Sequence, residues 1–116
     1  MDGRRGELLQ GTLELLVLKT LSVQPMHGWG IGQQIQQLSK DVFQVNQGSL
    51  YPALQRMKAK GWLTSEWRVT ENGRRARYYA LTAAGRRQLE AERRDWERSS
   101  QAVNRILNAR LESAWA

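Results

Sequence analysis

Residues 83 to 109 contain no proline and a single early glycine, Gly85, and they are dense in alanine, arginine, glutamate and glutamine. With Thr82 as a plausible N-cap, this is one long helix. About 27 residues at 1.5 Å each span roughly 40 Å, more than the width of a small domain, so the helix must project. Along it Leu89, Trp96 and Val103 recur every seven residues, joined by Ile106 and Leu107, in a narrow seam of the coiled-coil kind. A lone helix cannot bury that seam. It folds back on its own domain or packs on a partner, and a second copy is the favoured partner because two-fold pairing is the commonest oligomer.

The rest of this 116-residue chain has room for one small domain, so the projecting helix is an appendage to it. Residues 8 to 22, LLQGTLELLVLKTLS, are apolar at Leu8, Leu9, Leu13, Leu15, Leu16, Val17, Leu18 and Leu21, which is wider than one stripe. Such a helix is buried on two sides, and in a chain this small the second side can be covered by another subunit. Gln24-Pro25 ends it, because the residue before a proline is pushed out of helical geometry. A second helix in HGWGIGQQIQQLSK turns Ile31, Ile35 and Leu38 to one face. Glycines 28, 30 and 32 do not match a dinucleotide loop, which needs glycine at the sixth position and a preceding strand. His27 reads as a capping or local hydrogen-bonding residue rather than a catalytic one.

A third helix runs from a cap at Asn46 to about Ala59 and stops at Gly61, with Leu50, Leu54 and Met57 facing inward. Pro52 sits inside it and removes the hydrogen bond to the Gly48 carbonyl, at a cost of about 3 kcal/mol in a helix interior. A later cap at Gly48 or Ser49 would lower that cost. Two strand-like runs follow, 62 to 69 and 76 to 82, joined by TENGRR, whose Asn72-Gly73 is a hairpin-turn signal. The fold expected is mainly α with a small β-hairpin: a winged helix-turn-helix over residues 1 to 82, then a dimerisation helix over 83 to 116.

Charge points to the partner. Between Asn46 and Arg87 nine basic residues face two acids, Glu66 and Glu71, whereas the other 74 residues hold nine of each sign. The whole formal excess of +7 therefore belongs to one segment, and a polyanion is the better explanation than a merely solvated surface. The chain has no cysteine and one histidine, so disulfides, thiolate metal sites and ordinary metal-ligand spacing have no basis in it, and no cofactor is expected. The absence of cysteine fits a reducing cytoplasm. Arg4 and Arg5 precede a leucine-rich run, but Glu7, Gln10, Glu14 and Lys19 interrupt it, which argues against a signal peptide, and no run approaches a membrane span.

The segments LELLVLKTL, HGWGI, GSLYPALQRMKAKGWL and GRRARYYALTAAG, followed by the long final helix, together resemble the PadR-type bacterial transcriptional regulators over residues 8 to 108. The family often has tyrosine at the position of Trp29 and an acidic residue at Ala83 or Ala84; neither departure touches the presumed DNA face. The resemblance implies a cytoplasmic homodimeric repressor on a palindromic operator, nucleoid-associated when bound, with the third helix in the major groove and the wing at the minor groove or phosphates. It also implies a dimer in which the final helix packs on the partner's first helix, giving Leu13, Leu16, Leu89, Trp96, Val103, Ile106 and Leu107 as interface residues. Some members of the short subtype answer small planar molecules held between subunits near an aromatic residue, and Trp96 matches that position. As a seam residue it also needs no ligand.

On a helical wheel Gly48, Pro52, Gln55 and Ala59 of the third helix face away from the core, a small outward stripe that lets the backbone approach a groove. Gln47, Ser49 and Gln55 are expected to reach base edges directly or through water, while Tyr51 and Lys58 grip phosphates, with Arg56 beside Ser49. Pro52 forms part of the contact surface. Arg74, Arg75 and Arg77 at the wing supply positioning contacts to phosphates or a narrow minor groove. A winged-helix protein scaffold is the alternative, since fold does not settle function. No nucleophile, base and orienting group occur in a pattern that would make an enzyme.

Overall fold

A computed structural model describes residues 10–110. Leu8 and Leu9 of the expected first helix, and the last residues of the final segment, lie outside the described residues. The elements run α1 (Gln10–Val23), β1 (Met26–His27), α2 (Gly28–Leu38), α3 (Gln47–Ala59), β2 (Leu63–Val69), β3 (Arg75–Leu81) and α4 (Ala83–Leu107). Helices α1, α2 and α3 pack around one apolar centre that β2, β3 and the first turns of α4 close off. α1 occupies its middle: Leu13, Val17, Leu18 and Leu21 are buried against Ile31 and Ile35 of α2 and Leu50, Ala53, Leu54 and Met57 of α3.

Four helices and an antiparallel sheet make this the expected winged helix-turn-helix with a long C-terminal helix. The sheet has a third strand that the sequence reading lacked. β1 pairs with β3, Met26 opposite Tyr79 and His27 opposite Tyr78, giving the order β1-β3-β2. Two residues are too few to show an alternating pattern, and β1 exists because the Pro25 break leaves the chain extended beside β3. His27 does the capping expected of it: its Nδ1 accepts from the Gly30 N–H at 3.0 Å, and its ring meets Tyr78 edge-on.

α2 and α3 are joined by a connection, 39–46, in which Lys40 and Asp41 both take left-handed backbone angles, φ 54° and 66°. Asp41 is held there by its neighbours, its N–H donating to the Gln36 carbonyl and its carboxylate accepting from Gln36 Nε2.

α4 projects. The radius of gyration is 17.4 Å and the longest dimension 67 Å, against about 13 Å expected for a compact chain of this length. The helix is anchored at its start by Thr82, whose hydroxyl donates to the Gly61 carbonyl at 2.7 Å and accepts from the Gly85 N–H at 3.0 Å. Beyond the first turns the seam stays uncovered among the described residues: Trp96 is 53 % exposed, Ile106 71 % and Leu107 74 %. Leu13 and Leu89, expected at a subunit interface, are instead buried in this chain's own core, and Leu16 is half-buried beside them. They lie where α1 crosses the base of α4, a contact internal to one chain; for Leu89 the seven-residue repeat cannot distinguish such a contact from one between two chains. No described helix is long and apolar enough to cross a membrane.

Candidate nucleic-acid interface

α3 starts where the earlier of the two caps puts it. Asn46 is extended and its side-chain oxygen accepts from the Gly48 N–H at 2.7 Å, so Pro52 lies just past the first turn. The carbonyl that loses its partner belongs to Gly48, which is exposed, and water there limits the cost. The helix ends in a Schellman motif: Gly61 takes φ +82°, the Trp62 N–H returns to the Met57 carbonyl and the Gly61 N–H to that of Lys58. Both ends are thus capped, which limits fraying. Leu50, Ala53, Leu54 and Met57 face inward, while Gly48, Ser49, Pro52, Gln55 and Ala59 form an exposed face of small residues and one amide.

The wing is a regular hairpin. Val69 pairs with Arg75 and Leu63 with Leu81. The turn is a three-residue loop rather than a two-residue Asn-Gly turn: Gly73, at φ +78°, is left-handed and Asn72 is not, while the Thr70 N–H donates to the Arg74 carbonyl and the Gly73 N–H to that of Thr70. A type I turn followed by a left-handed glycine gives this geometry. Because side chains alternate along a strand, the register puts Ser65, Trp67, Val69, Arg75, Arg77 and Tyr79 on one face of the hairpin and Glu66, Arg68 and Tyr78 on the other.

The first of these faces looks across a groove at α3. Tyr51 and Gln55 line it from α3, Gly28 and Trp29 from the start of α2, and Trp67, Arg74, Arg75 and Arg77 from the wing. No carboxylate lines it, and none of these three arginines makes an ion pair with a described residue. Their charge is uncompensated and turned toward one channel. Tyr51 is 45 % exposed, and its ring occupies the space that a Cβ at residue 28 would fill, which is why glycine stands there. Tyr79 at the floor is buried. That burial pushes its phenol above the ordinary 10.0 while Arg77 pulls the other way, so the hydroxyl stays neutral.

The structure does not bring all the expected contact residues to this groove. Ser49, Pro52 and Gln55 are exposed on the outer face of α3, and Lys58 is half-buried on its flank. Gln47 is half-buried, its side-chain amide turned back toward Gly32 of α2. Arg56 is half-buried on the flank, and its Nε is turned toward α1, 3.5 Å from the buried carboxylate of Glu14. A wheel places Arg56 on the flank correctly but cannot show a carboxylate contributed by another helix. Conversely, Trp29 and Trp67 line the groove and were not anticipated. For Trp67 the sequence signal misleads, because counting outward from a two-residue Asn72-Gly73 turn pairs it with Tyr78, and only the three-residue loop brings it opposite Arg77.

An uncompensated arginine cluster beside a helix with a small outer face can hold a polyanion and read it, and the groove offers no nucleophile paired with a base. A family model described as the Transcriptional regulator PadR-like family matches residues 17–91. Transcriptional regulator Rv3488 of Mycobacterium tuberculosis is 36% identical over 97 residues, spanning 84% of this chain and 87% of the relative. The PadR-like transcriptional regulator BC4206 from Bacillus cereus is similar in structure with a TM-score of 0.75 at 27% identity, covering 88% of this chain and 97% of that one. A transcriptional regulator from Clostridium thermocellum, Cth-833, shares the fold with a TM-score of 0.78 at 21% identity, covering 85% and 93%.

Proposed function

The chain belongs to the PadR-like family of transcriptional regulators, DNA-binding proteins by kind, and from that premise we propose that it is a homodimeric repressor of a palindromic operator. The observation that carries this reading is the carboxylate-free groove between α3 and the wing, with Arg74, Arg75 and Arg77 on one wall and the small outer face of α3 beside the other. α3 enters the major groove with Ser49 and Gln55 toward base edges, Pro52 lies flat against the groove wall, and Tyr51, Lys58 and the wing arginines hold phosphates. Residues 1–82 then form the reading part and 83–116 the dimerisation helix, in a bacterial cytoplasm.

Two-fold pairing through α4 supports the palindrome, since two reading heads related by symmetry require two half-sites. The uncovered seam of Trp96, Val103, Ile106 and Leu107 is the surface available for it, together with Leu16 on α1. Trp96 also borders a crevice with Gly11, Thr12 and Leu15 of α1, which is where a small planar effector that relieves repression would sit.

Selection of bound fragments from the source genome, followed by salt titration of the winner, tests the function. An inverted repeat is the expected product, and failure to enrich any fragment would favour a protein scaffold. Gln55→Ala should lower affinity for the selected operator by about tenfold, the lower part of the range for a base contact, and leave random duplex unchanged; equal losses on both would remove Gln55 from base reading. Trp96→Glu with Val103→Glu should turn a dimer into a monomer in sedimentation. Operator affinity should then fall by about a hundredfold or more as the two heads lose their linkage. A wild-type chain that sediments as a monomer at micromolar concentration overturns the dimer.

A further inference from the structure

Arginines in this protein are held in two chemically different ways. Arg56, Arg68, Arg93 and Arg98 lie against the carboxylates of Glu14, Glu66, Glu97 and Asp95 at 2.9 to 3.5 Å. Arg75 and Arg77 lie against an indole. Their guanidinium carbons stand 5.2 and 5.4 Å from the ring of Trp67. The hairpin itself shows the contrast, because on its opposite face Arg68 has the Tyr78 ring at 5.3 Å but also the Glu66 carboxylate at 2.9 Å.

The two kinds of holder differ in what they leave for a ligand. A carboxylate neutralises the guanidinium and occupies its N–H fork. An aromatic face attracts the cation through the ring quadrupole, adds no negative charge and leaves N–H groups free to donate in the plane of the guanidinium. Trp67 is placed to do this for two side chains together: Arg77 is its direct cross-strand partner and Arg75 the diagonal one. Arg77 is fixed further by its Nε donating to Ser65 Oγ at 3.0 Å. Core packing does not account for the indole, which is 55 % exposed.

Resting on the DNA-binding reading above, we infer that Trp67 is a positioning residue of the wing, holding Arg75 and Arg77 over its ring so that both reach phosphate already ordered and with no carboxylate compensating their charge. Most of what it contributes is the conformational freedom that the two arginines no longer lose when DNA binds.

The test is a double-mutant cycle on a random-sequence duplex read by fluorescence anisotropy over a salt series, with circular-dichroism melting of every variant. Trp67→Ala should weaken binding by about tenfold while leaving the salt slope as in the wild type, because the cations remain. Trp67→Phe, which keeps an aromatic face, should stay within about threefold of wild type and retain the fold. In the Arg75→Ala/Arg77→Ala background, Trp67→Ala should change affinity by less than about twofold, since nothing is left to position. A loss of equal size in both backgrounds overturns the inference and makes Trp67 an independent DNA contact. Wild-type affinity for Trp67→Ala overturns it as well. Failure of the underlying reading looks different: the wild-type chain binds no duplex, or Arg75→Ala/Arg77→Ala leaves the salt slope unchanged.

Discussion

Replacing Arg74, Arg75 and Arg77 together by alanine is expected to weaken binding to operator and random duplex alike and to flatten its dependence on salt. Each guanidinium that neutralises a phosphate releases counterions on binding, so removing each one should reduce the slope of log affinity against log salt by about one unit. At about 1 kcal/mol per phosphate interaction, the three arginines amount to about 3 kcal/mol per protomer, a weakening of roughly a hundredfold for each protomer of the proposed dimer that engages the duplex. Stability should hardly move. Arg74 and Arg75 are exposed, Arg77 is partly so, and none forms an ion pair with a described residue, so melting should shift by no more than surface substitutions usually do. An unchanged slope would remove the wing from the DNA. A loss confined to the operator would mean that these arginines read bases, as they can in a narrow minor groove.

The second large effect is on folding. Gly85 is buried where the first turn of α4 meets Trp62, just before β2, and Leu81 at the end of β3. A Cβ there would run into the Trp62 carbonyl oxygen, with Leu81 Cδ1 at 2.7 Å. A leucine methyl can move, whereas a carbonyl fixed by its bond to the Thr82 N–H cannot, so α4 would have to lift off. Gly85→Ala should therefore cost about 3 kcal/mol, the upper part of the usual range for overpacking, and lower the melting temperature by about 12 °C or more. Protein concentration has to be held constant, because the proposed dimerisation would contribute to apparent stability. Gly11→Ala is the control, since a Cβ at that position meets nothing within 4 Å. Equal melting of both variants would show that the close approach at Gly85 does not exist.

Gly85 and Trp67 illustrate how differently residues disclose their roles. An early glycine in an otherwise good helix is visible as an oddity in the sequence, yet nothing local says that Trp62 crosses there. Leu89 had the spacing of a seam and belongs to the chain's own core, as does Leu13 of the first helix, because a seven-residue repeat records which side of a helix is buried and not what buries it. Arg56 had the same ambiguity with charge. It counts toward the basic segment, but a carboxylate from α1 is what it meets.

Features that depend on a few neighbouring residues were legible in the sequence. These are the Asn46, His27 and Thr82 caps, the helix stop at Gly61, the inward stripe of α3, the extent of the wing and the length of α4, and with them the order of every element but β1, and the basic segment. Each is a matter of local hydrogen bonds, backbone sterics or period, and those act within a turn or a hairpin. Packing of distant segments was needed to settle the two-residue strand β1, the turn of Arg56 toward Glu14, the lodging of Tyr51 over Gly28 and the choice of an indole rather than a carboxylate beside Arg75 and Arg77. A guanidinium, a phenol or a glycine carries no record of the group it will face, so these outcomes exist only once the helices and the hairpin have come together.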